Sequence, residues 1–309
     1  MQMKYCKTAE LEIAYEERGS SDGFPVIFLH GFPDDPRTWD GVVEPLLKMG
    51  FRTIAPYLRG YGQTRFLKEG FVGSGQQAAL GKDLLDLMDG LHLKDVGLVG
   101  YDWGGRAACI VAALWPERVR WLVSIGGYHI QNIANAHVPS HPEQELRFWY
   151  QWYFGAERGV LGLKKNRYEL CKLLWKLWSP NLDFTDEEYD RTAKSFDNAS
   201  FVDVVIHCYR HRYRTAPGAA EFEEIEQRLA ELPKIPVPTV VLHGGTDGCK
   251  PPDDSQSHDK FFTSFYERRI VKQAGHILSR EDPGTVLKAI LDVSAAGVGG
   301  QRPATSARV

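Results

Sequence analysis

The apolar run Val96-Gly97-Leu98-Val99 passes through Gly100-Tyr101-Asp102-Trp103-Gly104-Gly105 straight into a small-residue segment, 107–114. That order predicts a buried strand, a tight turn and a helix that starts at once. Small residues flank the turn because its backbone leaves little room, and glycine tolerates the unusual dihedrals. Further continuous apolar runs stand at Pro25-Val26-Ile27-Phe28-Leu29, Thr53-Ile54-Ala55, Trp121-Leu122-Val123-Ser124-Ile125 and Thr239-Val240-Val241-Leu242. Leu11-Glu12-Ile13-Ala14-Tyr15 alternates as a half-buried strand does, and residues 269–271 read as one more short strand. Continuous runs suit strands covered on both faces. Helical periodicity lies between them, as over residues 77–91. The pattern predicts an α/β fold with a mostly parallel central sheet flanked by helices.

The texture changes over residues 129–232. Strand-like runs nearly vanish and aromatic, helix-forming segments replace them, among them Arg147-Phe148-Trp149-Tyr150-Gln151-Trp152-Tyr153-Phe154 and residues 170–178. Thr185-Asp186-Glu187-Glu188 has the spacing of a capping box. The expected organisation is a sheet core in two parts, 1–128 and 233–293, a helical cap at 129–232 inserted between them, and a flexible tail at 294–309. The acidic stretch 221–226 reads as the solvated face of a helix.

With 37 basic and 40 acidic residues the net charge is −3, which gives no support for nucleic-acid binding. The apolar segment 107–115 is too short to span a bilayer, so no membrane span is expected. Five cysteines without a CxxC pair imply free thiols and a cytoplasmic location. His207 and His211 have helical metal-ligand spacing but no third ligand in view, so neither metal nor cofactor is expected. A homodimer is left open.

Asp102 occupies the turn where a nucleophile sits in a strand–turn–helix of this kind; its other reading is a cap of the following helix. His30-Gly31-Phe32-Pro33 directly follows the strand that ends at Leu29, where an oxyanion-binding loop belongs. Asp247 follows the strand ending at Leu242, and His276 lies on a loop after the run 269–271. Nucleophile, acid and histidine thus come in chain order, each past the end of a strand.

This set resembles the α/β-hydrolase superfamily, and within it the epoxide hydrolases and haloalkane dehalogenases. The likeness covers about residues 8–292 and rests on His30-Gly31-Phe32-Pro33, Arg59-Gly60-Tyr61-Gly62-Gln63-Thr64 and Gly100-x-Asp102-Trp103-Gly104-Gly105. Tyr57 departs from the pattern, since those enzymes usually carry aspartate there. The resemblance implies an α/β-hydrolase fold and hydrolysis of an epoxide to a vicinal diol. A carboxylate displaces a leaving group from saturated carbon and becomes an alkyl ester. Water activated by His276 then attacks that ester, with Asp247 orienting the imidazole. Backbone N–H groups of Phe32 and Trp103 are expected to hold the oxyanion.

Opening an epoxide creates an alkoxide that needs an acid. The stretch 150–154 is similar to the Tyr-Gln-x-Tyr-Phe segment of epoxide hydrolase caps, which assigns the acid to Tyr150. The Tyr209-Arg210 pair is similar to a second cap segment and assigns a partner phenol to Tyr209. Tyr153 and Tyr213 are expected to pack. Phe32, Trp103, His30 and Trp149 are the expected contacts of a small, largely apolar substrate. The rival reading is a haloalkane or haloacid dehalogenase, with Trp103 and Trp149 or Trp152 donating to a halide. Many haloalkane dehalogenases carry Asn where this chain has Phe32. Fluoroacetate dehalogenases carry arginines one and four residues after the nucleophile, and only Arg106 is present here, so a structural ion pair is expected for it. A ligand-binding receptor on the same fold is a further alternative, and a serine-type esterase is disfavoured by Asp102.

Overall fold

A computed structural model describes residues 3–68 and 74–299. Its strands are β1 (Lys4–Lys7), β2 (Leu11–Arg18), β3 (Pro25–Leu29), β4 (Arg52–Pro56), β5 (Arg65–Phe66), β6 (Val96–Tyr101), β7 (Val119–Ile125), β8 (Thr239–Gly244) and β9 (Tyr266–Val271). They form one sheet in the order β1-β2-β4-β3-β6-β7-β8-β9, with β5 on β2. From β4 to β9 every neighbouring pair is parallel, while β1, β4 and β5 meet β2 in antiparallel fashion. All residues of β6 and β8 are buried, which is why these strands read as unbroken apolar runs.

The chain runs from β3 outward to β4 and then returns to place β6 on the other side of β3. At such a reversal the loops at the carboxyl ends of neighbouring strands part and leave a crevice. The loop after β3 and the turn after β6 both open there.

Between β7 and β8 the described elements are helical. They include Pro142–Arg147, Trp149–Gly155, Glu157–Trp178, Asp186–Ala193, Phe201–Arg212 and Glu223–Ala230. The capping box is formed: Thr185 accepts from the Glu188 N–H, and the Glu188 carboxylate accepts from the Thr185 N–H.

Two expectations are corrected. Residues 294–299 continue the last helix, Pro283–Gly299, because Val293 and Gly297 bury one turn apart and Gly297 lies against Trp121 of β7. Residues 300–309 of the expected tail lie outside the described residues. The acidic stretch is also only partly a solvated face. The Glu226 carboxylate accepts from the Ala78 N–H (3.0 Å) and from the side chains of Gln76 and Gln77. It thereby supplies the N-terminal cap that helix Gln77–Gly90 lacks in its own sequence.

Among the described residues no helix is long and apolar enough to cross a membrane. No cluster of three or more metal-type ligands occurs among them either. The His207 ring instead accepts from the Gly75 N–H and meets the Pro217 carbonyl.

Candidate active site

Asp102 stands at the junction of β6 and helix Asp102–Leu114 with φ of 49°. A side chain in this left-handed region costs on the order of 1–2 kcal/mol, so the surroundings must enforce it. They do so by close approach. A Cβ on Gly104 would lie 2.1 Å from the Leu29 carbonyl oxygen, and one on Gly31 would lie 2.6 Å from Asp102 Cβ. The turn after β6 and the loop after β3 therefore touch along their backbones. One product of that contact is a hydrogen bond from the Phe32 N–H to Asp102 Oδ1 at 2.8 Å.

The other carboxylate oxygen, Oδ2, faces His276 Nε2 at 3.8 Å. His276 Nδ1 lies 2.8 Å from Asp247 Oδ2, while Nε2 is buried and has no hydrogen-bond partner among the described residues. Asp247 is fixed in turn, its Oδ1 accepting from the N–H groups of Cys249 (2.7 Å) and Lys250 (2.9 Å). The three residues expected to act together are thus brought together, from the ends of β6, β8 and β9.

Electrostatics couple the group. Burial disfavours the Asp102 carboxylate, but the facing His276 ring at 3.8 Å, the Arg106 charge and the Phe32 N–H outweigh it. Its pKa falls well below the usual carboxylate range. Burial likewise disfavours the His276 imidazolium, yet the charge of Asp247, the bond to it and the nearby Asp102 carboxylate carry its pKa well above the ordinary value. The two shifts act in the same sense, each favouring the charged form of its group.

An aromatic wall covers Asp102. Phe32 is its hub, with ring centroids 5.5 Å from Trp103, 5.7 Å from Tyr209, 6.1 Å from Trp178, 6.2 Å from Phe154 and 6.4 Å from Tyr150. Tyr150 and Tyr209, from two different helices, meet at 5.3 Å and nearly at right angles. Both are buried, and burial foremost pushes both phenols well above their usual pKa. The Tyr150 hydroxyl accepts from Gln151 Nε2 (2.7 Å) and lies 3.8 Å from Cys249 Sγ. The guanidinium of Arg212 sits 4.9 Å over the Tyr209 ring. Trp103 is fully buried, and its indole N–H has no partner among the described residues.

Other expected residues lie elsewhere. His30 does not offer a polar edge to a substrate: Nδ1 meets the Gly31 carbonyl at 3.0 Å and Nε2 accepts from the Leu58 N–H at 3.1 Å. Burial lowers its pKa to about 4, which keeps the ring neutral for that brace. Trp149 is half-buried and packs on Tyr150 and Tyr153, with no ring contact to Phe32 or Trp103 among the described residues. Tyr153 packs there too, and the Tyr213 ring lies tilted against Trp152, 4.3 Å between centroids, while its hydroxyl donates to Gln151. Arg106 forms no ion pair among the described residues. It is buried, donates to the His129 carbonyl at 3.2 Å, and acts on Asp102 as an uncompensated charge.

Sequence reading missed Trp178, Gln151 and Cys249. Trp178 ends a long helix and its ring lies 5.2 Å from His276 and 5.0 Å from Tyr150. Its place in the run 170–178 signalled a helix but not which end reaches the histidine. Gln151 was visible only as the second residue of the Tyr-Gln-x-Tyr-Phe likeness, with no role attached to it.

Residues 25–283 match the family model described as alpha/beta hydrolase fold. Epoxide hydrolase 4 of Homo sapiens is 24% identical over 92% of this chain and 76% of its own length. An AB hydrolase superfamily protein of Bacillus subtilis is 28% identical over 67% of this chain and 72% of its own length. A crystal structure of a presumptive epoxide hydrolase from Klebsiella pneumoniae superposes with a TM-score of 0.93 at 40% identity, covering 95% of this chain and 97% of that one. The sheet order, the strained turn at Asp102 and these matches make one conclusion: the chain belongs to the α/β-hydrolase fold family, among relatives that carry the name epoxide hydrolase.

Proposed function

We propose that the chain hydrolyses an epoxide to a vicinal diol through an alkyl ester on Asp102. The observation that carries this reading is the unequal placement of the two Asp102 oxygens. Oδ1 already sits on the Phe32 N–H, and Oδ2 is turned toward the partnerless His276 Nε2. Oδ2 attacks an epoxide carbon, the C–O bond of the ring breaks, and the released alkoxide takes a proton from Tyr150 or Tyr209. Water then adds to the Asp102 carboxyl carbon, giving up a proton to His276. The oxyanion forms on Oδ1, where the Phe32 N–H, joined by that of Trp103, meets it. Collapse returns the carboxylate and frees the diol.

The change of charge is part of the cycle. Esterification removes the negative charge of Asp102, one of the groups that holds His276 protonated. The imidazole therefore gives up its proton more readily in the intermediate, when a base is needed. Asp247 remains to hold its orientation. In this reading residues 129–232 are a cap that carries both phenols, and the aromatic wall selects a small, largely apolar substrate. The five cysteines, all free and buried, fit a cytoplasmic setting.

The unpartnered indole N–H of Trp103 favours a second reading, halide release from a haloalkane or haloacid. A panel of styrene-type epoxides, haloalkanes and fluoroacetate separates the two, with diol and halide scored independently. Diol formation with no halide release is the expected result. Halide release without diol would move the assignment to the dehalogenases.

A further inference from the structure

Gln151 is almost fully buried at 1% exposure, and every polar end of its side chain is occupied. Its Oε1 accepts from Arg212 (Nη1, 3.1 Å) and from the Tyr213 hydroxyl (2.8 Å). Its Nε2 donates to the Tyr150 hydroxyl oxygen at 2.7 Å. A guanidinium only donates, so Arg212 fixes which end of the amide is the carbonyl. The flipped amide would set N–H against N–H in a buried place. The end that reaches Tyr150 is thus an N–H donor.

We propose that Gln151, locked by Arg212 and Tyr213, is the positioning residue that makes Tyr150 a proton donor to the opening epoxide. This rests on the reading of Tyr150 as an acid. With one lone pair of the phenol oxygen taken by the Gln151 N–H, the Tyr150 proton is turned away from Gln151. Its one other hydrogen-bond partner among the described residues is Cys249 Sγ at 3.8 Å, a weak acceptor that a developing alkoxide displaces. As the epoxide C–O bond breaks, the proton passes to the alkoxide and leaves a phenolate. The Gln151 N–H then becomes a charge-assisted bond to that phenolate, stronger in the transition state than before it. Arg212 serves twice, orienting the amide and lying as a cation against the Tyr209 ring. Solvent reprotonates the phenolate before the next turnover.

Two near-isosteric changes test this. Gln151→Glu replaces the N–H with an acceptor, so the Tyr150 proton is drawn to residue 151. Gln151→Met removes the bond and keeps the volume. The readout is the single-turnover rate of alkyl-enzyme formation with a styrene-type epoxide, in wild-type and Tyr150→Phe backgrounds, for variants with native circular dichroism. Gln151→Met is expected to slow alkylation about 10- to 100-fold, the worth of a hydrogen bond to a charged group. Gln151→Glu is expected to lose at least as much as Tyr150→Phe. In the Tyr150→Phe background neither change should slow alkylation further, and hydrolysis of the alkyl-enzyme should keep its rate. Equal losses in both backgrounds would reduce Gln151 to packing and overturn the proposal, as would wild-type alkylation in both variants. In either case an impaired Tyr150→Phe leaves the acid reading standing. An unimpaired Tyr150→Phe overturns the reading of Tyr150 and the proposal with it.

Discussion

The backbone carbonyl of Trp178 accepts hydrogen bonds from the N–H groups of both Gly248 (2.9 Å) and His276 (3.0 Å). One residue at the end of helix Glu157–Trp178 thus clamps the loop after β8, which carries Asp247, to the loop after β9, which carries His276. Ser179 completes the clasp, its Oγ accepting from the Ile277 N–H at 2.8 Å and donating to Glu281. The geometry of the histidine therefore depends on the inserted helices as much as on the sheet.

Gly275→Ala tests that dependence. The added Cβ would fall 2.6 Å from Ser179 Cα and 2.8 Å from the Trp178 carbonyl oxygen. Overpacking of this kind costs about 1–3 kcal/mol. The displaced imidazole should reduce kcat by roughly 100-fold, as small misplacements of catalytic groups do. Thermal unfolding and steady-state kinetics measure both, and an unchanged kcat would separate the clasp from catalysis.

The phenol pair is checked by the double change Tyr150→Phe with Tyr209→Phe. Loss of a positioned acid slows epoxide opening by roughly 100- to 10,000-fold. Pre-steady-state measurement should place the loss in alkylation, with ester hydrolysis unaffected. A double variant that alkylates at the wild-type rate would remove both tyrosines from the chemistry.

Two opposite pH effects meet at His276. Its folded-state pKa is raised, so its ion pairing stabilises the fold fully below the ordinary histidine value near 6.5 and loses that effect as pH rises through the raised value. In the proposed cycle turnover runs the other way, because the alkyl-enzyme would need a neutral imidazole. The rate of ester hydrolysis should fall as pH drops through the intermediate's own pKa, and that pKa should lie below the resting enzyme's. Stopped-flow hydrolysis rates against pH, set beside a titration of His276 in the resting enzyme, give the comparison. An intermediate value above the resting one would contradict the charge argument.

Asp35 predicts a separate slope in stability. Its carboxyl accepts from Ser195 (2.7 Å), Thr192 (3.1 Å) and the Arg37 N–H, tying the inserted helices to the loop after β3. Burial, helped by the neighbouring Asp34 charge, raises its pKa to about 7. The folded state thus holds a proton that the unfolded chain releases near pH 4, and stability falls as pH rises from about 4 to about 7. Asp35→Asn should flatten that part of a melting-temperature profile. An unaltered slope would show that Asp35 is not the group responsible.

The sheet and the positions of Asp102 and Asp247 were legible because strands buried on both faces write continuous apolar runs, and each of these residues stands just past one. His276 instead follows β9, which is only partly buried and mostly polar. β1 escaped notice because only Cys6 of its four residues is buried, and β5 because it has two residues. Long-range contacts left no local trace. Nothing near Glu226 signals that it caps a helix some 150 residues earlier, nor does residue 297 advertise its seat on Trp121. His30 was placed on the right loop with the wrong task, since a motif does not tell which way a ring's nitrogens are spent. Arg106 was expected to pair with a carboxylate, and the sequence holds no sign that its neighbour would be the Arg212 charge instead.

A single turnover in heavy-oxygen water, with enzyme in excess over epoxide, tests the ester on Asp102 most directly. Water attacking the Asp102 carboxyl carbon leaves the solvent label in that carboxylate, and the first diol carries the unlabelled oxygen that Asp102 gave up. Mass analysis of the peptide containing Asp102 should therefore show the heavy isotope, with none in the first-turnover diol. Label found in that diol and missing from Asp102 would mean that water attacks the substrate itself, and the covalent account would fail.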